Sequence, residues 1–228
     1  MQPENPQAAP AAYKTKVAGA AIKSHIAGAI IAGGHSRRFG SAEKALALLD
    51  DTTLIEHVYQ RFSPQVSNIW LNLANNIKPP DNINAPLISD ATDKRDGPLA
   101  GVLAALNMAS QNRFKWLLIA PCDTPFIPLN LAEKLLNQCA DSESNLGIAH
   151  TNGQNHPSLS LWNTSLLPNL EDAVLNQSKA GFKQFYPDTK HCFYEWSNDA
   201  YDPFFNINTP QDIEDAVDII NNNPELKP

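Results

Sequence analysis

No stretch of this chain carries the ~18 uninterrupted apolar residues that a membrane-spanning helix needs, so a membrane is not an expected partner. Cysteine is scarce and odd in number. Cys122, Cys139 and Cys192 share no metal-site spacing and read as reduced thiols in a cytoplasmic protein. Positive charge is short as well: 17 Lys and Arg stand against 24 Asp and Glu, a net charge of −7. Nucleic-acid binders usually present a net basic face, so nucleic acid is not expected either. The opening residues lack the basic and then apolar order of a signal peptide. Met1 to about Tyr13 is rich instead in Pro, Gln and Ala, the composition of a disordered tail.

What remains is enough for a full core. A chain of 228 residues, 43% of them hydrophobic, suits one α/β domain. We read residues 1–24 as an N-terminal tail, 25–222 as the domain and 223–228 as a C-terminal tail. No internal repeat or linker interrupts the domain. Apolar runs at His25–Ala32, Ile69–Leu71 and Phe114–Ala120 have the length and purity of buried strands. Shorter strands are expected at Pro86–Ser89, Asn145–His150, Ser158–Trp162 and His191–Trp196. Helical spacing marks Leu54–Phe62, Gly97–Leu106, Leu129–Cys139, Ser165–Asn176 and the segment after Thr209-Pro210. Strands alternating with helices imply a doubly wound, mostly parallel sheet with helices on both faces. Ligands of such sheets bind beyond the carboxyl ends of the strands. Gly33, Asn72, Asp90 and Asp123 all fall at expected strand ends, so they should converge on one rim.

The few basic residues are clustered. Lys23, Arg37, Arg38 and Lys44 flank one loop, and Lys94 and Arg95 another. The first loop, Gly33-Gly34-His35-Ser36-Arg37-Arg38-Phe39-Gly40, follows directly on the first buried run. Glycines there let backbone N–H groups approach an anion, while Arg38 and Lys44 supply positive charge. A small polyphosphate fits this better than a long polyanion. The loop is neither a P-loop, which needs Gly-Lys-Ser/Thr, nor a G-x-G-x-x-G fingerprint.

Asp123, just past a buried strand, is placed to hold Mg²⁺, which takes oxygen ligands and keeps waters and phosphates in its shell. Asp90 could assist with the metal or orient basic groups. Asn72 ends its strand with an amide able to donate and accept, suited to a base edge or a sugar hydroxyl. His156 either lines a second substrate pocket or packs. Asn206 and Asn208 either stabilise the loop before the last helix or touch substrate. Trp70, Trp116, Trp162 and Trp196 read as core or rim residues.

With these residues assembled, the chain resembles the molybdenum cofactor guanylyltransferase family. The resemblance rests on Ile31-Ala32-Gly33-Gly34 through Arg38, Gly40 and Lys44; on Asp90 with Gly97-Pro98-Leu99-Ala100-Gly101; on Pro121-Cys122-Asp123-Thr124-Pro125; and on Asn206-Ile207-Asn208-Thr209-Pro210. It spans roughly residues 26–220 and implies a glycosyltransferase-like nucleotidyltransferase fold. The first motif alone marks only the wider nucleotidyltransferase superfamily; Pro121-Cys122-Asp123-Thr124-Pro125 and the Asn206-Ile207-Asn208-Thr209-Pro210 ending are more specific. Ile31 stands where leucine is usual.

The implied activity is transfer of GMP from GTP to molybdopterin, or to its molybdenum-loaded form, with release of pyrophosphate. By position, Ile31, Ala32, Gly33 and Gly34 would contact the nucleotide through backbone. Asn72 and Asp90 would bind GTP, Lys44 would grip its phosphates and Asp123 would hold Mg²⁺, with Mn²⁺ as the alternative ion. Arg38, Lys44 and Asp123 would carry catalysis. His156, Asn206 and Asn208 are the candidates for the pterin. A monomer is expected, with transient contacts to other molybdenum cofactor biosynthesis proteins and to acceptor molybdoenzymes. Two rivals are a cytidylyl- or sugar-phosphate nucleotidyltransferase and a noncatalytic carrier of the pterin.

Overall fold

The computed structural model describes residues 23–32, 44–73, 77–92 and 97–227. Most of the expected N-terminal tail therefore lies outside the described residues, and so do Lys94 and Arg95.

β1 (Ile26–Ile31) is buried at every position. A strand with neighbours on both edges and helices on both faces has no polar side to show. A two-residue hairpin, β2 (Leu48–Leu49) and β3 (Thr52–Thr53), leads into α1 (Leu54–Phe62). Thr53 caps α1, and its backbone N–H donates to Glu56 Oε2 at 2.9 Å, as the Asp50–Thr53 run suggests. β4 (Asn68–Asn72), α2 (Pro98–Gln111) and β5 (Trp116–Pro121) follow. Proline in the first turn of α2 sits where its missing N–H costs nothing. Then come α3 (Leu131–Ser142), β6 (Leu146–Thr151), β7 (Gln154–Asn163), α4 (Leu167–Leu175), a single-turn α5 (Phe182–Phe185), β8 (His191–Glu195) and α6 (Pro210–Asn222).

The sheet has six strands in the order β4-β1-β5-β7-β6-β8. The pairs β1–β4, β1–β5 and β6–β8 are parallel, and β7 runs antiparallel to both neighbours. The exception has a local cause. β6 and β7 are joined by Asn152-Gly153 with φ of 46° and 75°. An Asn-Gly pair with both φ positive is the turn whose twist matches a tight hairpin. Past the turn the ladder jumps from Ala149↔His156 to Ile148↔Ser160. Pro157, which has no N–H to donate, stands in the gap.

Side chains of the strands alternate between two cores. Ile26 and Ile30 pack with α1 (Ile55, Val58, Phe62) and α3 (Leu131, Leu135). Ala27, Ala29 and Ile31 pack on the other face with α2 (Leu99, Val102, Leu106) and α4 (Leu170, Val174). Helices thus cover both faces, as the alternation of elements implies. A third cluster holds Leu49, Leu54 and Phe126 against Ile207 and α6. Leu226, within the segment read as a C-terminal tail, is buried in that cluster, so the described end of the chain docks rather than trails. The segment expected as a strand at Pro86–Ser89 makes only one bridge, Leu71↔Leu87. Pro86 can only accept in that pairing, which it does from Leu71 N–H at 3.0 Å.

One consequence of this topology positions everything below. From β1 the chain passes through α1 to β4 on one edge, then through α2 to β5 on the other. The strand order reverses at β1, and such a switch point opens a crevice at the carboxyl ends of the strands. Register makes the rim level, since Ile31 pairs with Asn72 on one side and with Pro121 on the other.

Candidate active site at the carboxyl ends of the central strands

β1 brings Ile31 and Ala32 to the rim, where Ala32 N–H donates to the backbone oxygen of Asn72 at 2.8 Å. Gly33, Gly34, Arg38 and the rest of that loop lie outside the described residues. Lys44, which follows them, is placed.

β5 delivers Asp123. Its backbone oxygen accepts from Ile207 N–H at 2.9 Å, tying the rim to the segment before α6. Its Oδ2 accepts from Lys44 Nζ at 2.5 Å. The same ammonium donates to Asn208 Oδ1 at 2.8 Å. Lys44 has a side chain only 7% exposed. Lysine is almost never buried so deeply without a partner, and here it has an anionic one and a neutral one. The other carboxylate oxygen, Asp123 Oδ1, is buried and has no hydrogen-bond partner among the described residues. A carboxylate with one oxygen held by an ammonium and one left open is suited to accept a cation or a donor from outside the protein.

Neighbouring Cys122 takes no part. Burial, reinforced by the Asp123 charge, pushes its thiol up to about 12, so it is not a nucleophile at neutral pH.

β4 delivers Asn72, 1% exposed. Its amide nitrogen donates to Asp90 Oδ1 at 2.8 Å and to the backbone oxygen of Ile88 at 3.2 Å. Its amide oxygen is buried and unpartnered among the described residues. Asn72 and Asp90, both expected at the rim, are thus bonded to each other, a contact the sequence did not announce. The fold also assigns a part to Gly101 in α2. A Cβ there would lie 2.4 Å from Asn72 Oδ1 and 3.2 Å from Asp90 Oδ1. Glycine is unfavourable inside a helix, so this close approach explains its presence. The same segment names Gly101 in the sequence, but its role needs the position of the Asn72 side chain.

The contacts of His156 are with Thr151 and Phe204. Its Nε2 is 2.9 Å from Thr151 Oγ1, and its ring packs 4.9 Å from that of Phe204, which in turn contacts Trp196. Burial holds its pKa below the ordinary histidine value, keeping the ring neutral near pH 7. Asn206 is exposed, with its carbonyl accepting from Asn208 Nδ2 at 3.4 Å. Asn208 turns its amide oxygen to Lys44.

Among the described residues no cluster of three or more His, Cys, Asp or Glu could hold a metal. No helix of the described residues is long and apolar enough to cross a membrane.

The switch-point crevice and its rim define an α/β protein that binds its ligand at the carboxyl ends of the strands. The chain belongs to the MobA-like NTP transferase family, whose pattern matches residues 28–191, and it is a nucleotidyltransferase. It is 35% identical over 222 residues to a molybdenum cofactor guanylyltransferase of Brucella ovis, covering 91% of this chain and 96% of the relative. A protein of the same name from Rhodopseudomonas palustris is 33% identical over 189 residues, covering 82% and 90%. Among solved structures, molybdopterin-guanine dinucleotide biosynthesis protein A from Archaeoglobus fulgidus superposes with a TM-score of 0.68 at 25% identity, covering 86% of this chain and 98% of that one.

Proposed function

We infer that this chain transfers GMP from GTP to the terminal phosphate of molybdopterin, or of its molybdenum-loaded form, making the guanine dinucleotide cofactor and pyrophosphate. The observation that carries the reading is the Lys44–Asp123 pair with its open carboxylate oxygen, set at the switch point of a chain related to guanylyltransferases over nearly its whole length.

The acceptor phosphate is ionised at neutral pH, so its oxygen can attack the α-phosphorus of GTP without a strong general base. The bond from that phosphorus to the β-phosphate bridging oxygen breaks, and pyrophosphate departs with the negative charge. Catalysis then consists of alignment and charge neutralisation. Lys44 gives an N–H to the phosphates. Arg38 would add a second cation, and the Gly33-Gly34 backbone would supply N–H donors. Asn72, with Asp90 bonded to its amide nitrogen, would border the nucleoside. Asp123 Oδ1 is the residue atom that would hold a divalent ion, Mg²⁺ or in its place Mn²⁺, which supplies neutralisation of phosphate charge. His156 and Asn206 are assigned to the pterin side. We propose action as a cytoplasmic monomer, in transient contact with other cofactor-biosynthesis proteins and the molybdoenzymes that take the product.

The test is pyrophosphate release with molybdopterin as acceptor, comparing GTP with CTP, with and without Mg²⁺. The reading predicts release with GTP that depends on the ion. Preference for CTP would make the chain a cytidylyltransferase, and pterin binding without release would make it a carrier.

A further inference from the structure

We propose that Asn208 is a positioning residue for the Lys44 ammonium, the neutral half of a two-acceptor clamp whose charged half is Asp123. The inference deepens the reading of a GTP-dependent transferase and rests on it. It removes Asn208 from the pterin candidates.

The clamp is assembled from three distant parts of the chain. Lys44 lies 79 residues from Asp123 and 164 from Asn208. Asn208 is itself held from behind. Its backbone N–H donates to Asp212 Oδ2 at 2.6 Å, and Thr209 N–H reaches the same oxygen at 2.8 Å. Asp212 sits in the first turn of α6, where Thr209 Oγ1 accepts its N–H at 3.2 Å. Burial would raise the Asp212 pKa, but its bonds from Asn208 and Thr209 outweigh that and hold the carboxyl below its ordinary value. The start of α6 therefore fixes the backbone from which the Asn208 amide projects.

The orientation of that amide follows from chemistry. An ammonium only donates, so the oxygen of Asn208 must face Lys44, while its NH₂ faces the carbonyl of Asn206. Among the described residues the two acceptors use two of the three N–H donors of Lys44, and a phosphate oxygen would take the third. Neutrality of the second acceptor matters. Lys44 is already countered by Asp123 in contact and by Asp212 behind Asn208, so a further carboxylate at 208 would add negative charge where a triphosphate must approach. An amide aims the ammonium without adding that charge. Asn208 itself is exposed, so its substitution does not open the core.

The experiment uses the full chain with Asn208→Ala, Asn208→Asp, Lys44→Ala and the double variant Lys44→Ala/Asn208→Ala. Pyrophosphate release is measured with GTP varied at saturating molybdopterin, then with the two exchanged. Asn208→Ala should lower kcat/KM for GTP about tenfold, the scale of one hydrogen bond to a charged group, and leave the KM for molybdopterin unchanged. Asn208→Asp should fold normally and raise the KM for GTP. In the Lys44→Ala background, Asn208→Ala should change nothing further. A raised KM for molybdopterin with unchanged GTP parameters would overturn the proposal, and so would multiplicative losses in the double variant. Failure of the wild-type chain to use GTP would instead strike the functional reading. The clamp is then judged by a urea-unfolding cycle on the same variants without nucleotide, where additivity overturns it and coupling of about tenfold in the unfolding constant upholds it.

Discussion

An ammonium as deeply placed as that of Lys44 needs an anion beside it, and the anion it has is the one expected to serve chemistry. Under the proposed function Asp123 has two duties, one per oxygen. Asp123→Ala would leave Lys44 buried with only the Asn208 amide, and breaking a buried pair in this way costs about 3 kcal/mol. Asp123→Asn separates the duties, because an amide oxygen still accepts from Lys44 while the negative charge is gone. It should lose less stability than Asp123→Ala and lower turnover by roughly 10²-fold or more, the scale of one lost electrostatic group at a reacting centre. Urea unfolding and pyrophosphate release measure the two effects separately. Wild-type turnover in Asp123→Asn would dismiss the metal-holding role. At this scale Asp123 and Asn72 were legible beforehand, because an apolar run that stops at one polar residue marks a strand meeting the rim. The third member was not. Nothing local to Asn208 says that its amide meets a lysine 164 residues earlier.

Among the elements, α2 does more than cover the sheet. Its first turn brings Gly101 against the Asn72–Asp90 pair, leaving no room for a methyl group. Gly101→Ala should gain helix propensity by about 1 kcal/mol yet displace the Asn72 amide. The expected result is a folded protein with unchanged or higher melting temperature and a KM for GTP raised about tenfold, as for loss of a hydrogen bond of about 1.4 kcal/mol. Unaltered GTP kinetics would show that Asn72 does not read the nucleotide. The β6–β7 hairpin carries the opposite lesson. Its Asn152-Gly153 turn is a strong hairpin signal standing openly in the chain, and it makes β7 antiparallel in an otherwise parallel sheet. α5 escaped notice because a single turn is too short for periodicity to mark it.

For the molecule as a whole, acid stability depends on buried histidine. His57 is 1% exposed, and its Nε2 donates to the carbonyl of Leu49 at 2.9 Å, which places a proton on that nitrogen. Burial lowers its pKa from 6.5, outweighing the carbonyl contact that favours the charged form. Between that lowered value and 6.5 the unfolded chain binds more protons than the folded one, so stability rises with pH across this window. The contribution of His57 is complete above 6.5 and is lost as the pH falls toward the folded value. His156 is shifted in the same direction by burial and adds to the slope. Unfolding midpoints should therefore fall on acidification from about pH 7.5 to about pH 5, and less steeply in His57→Gln. An equal slope in that variant would assign the acid sensitivity elsewhere.

By itself the amino-acid order determined the buried strands, the helices that alternate with them, the caps of α1 and α6, and the rim on which Asn72, Asp90 and Asp123 meet. Those features follow from periodicity and chain-local chemistry, which act over a few residues. Tertiary structure alone decided that Lys44 is shared between Asp123 and Asn208, that Gly101 exists to make room for an amide, and that His156 belongs to an aromatic cluster. Each is a contact between segments far apart in the chain, and such contacts are selected by how whole layers pack, since a buried charge or amide takes whichever partner the fold brings within reach.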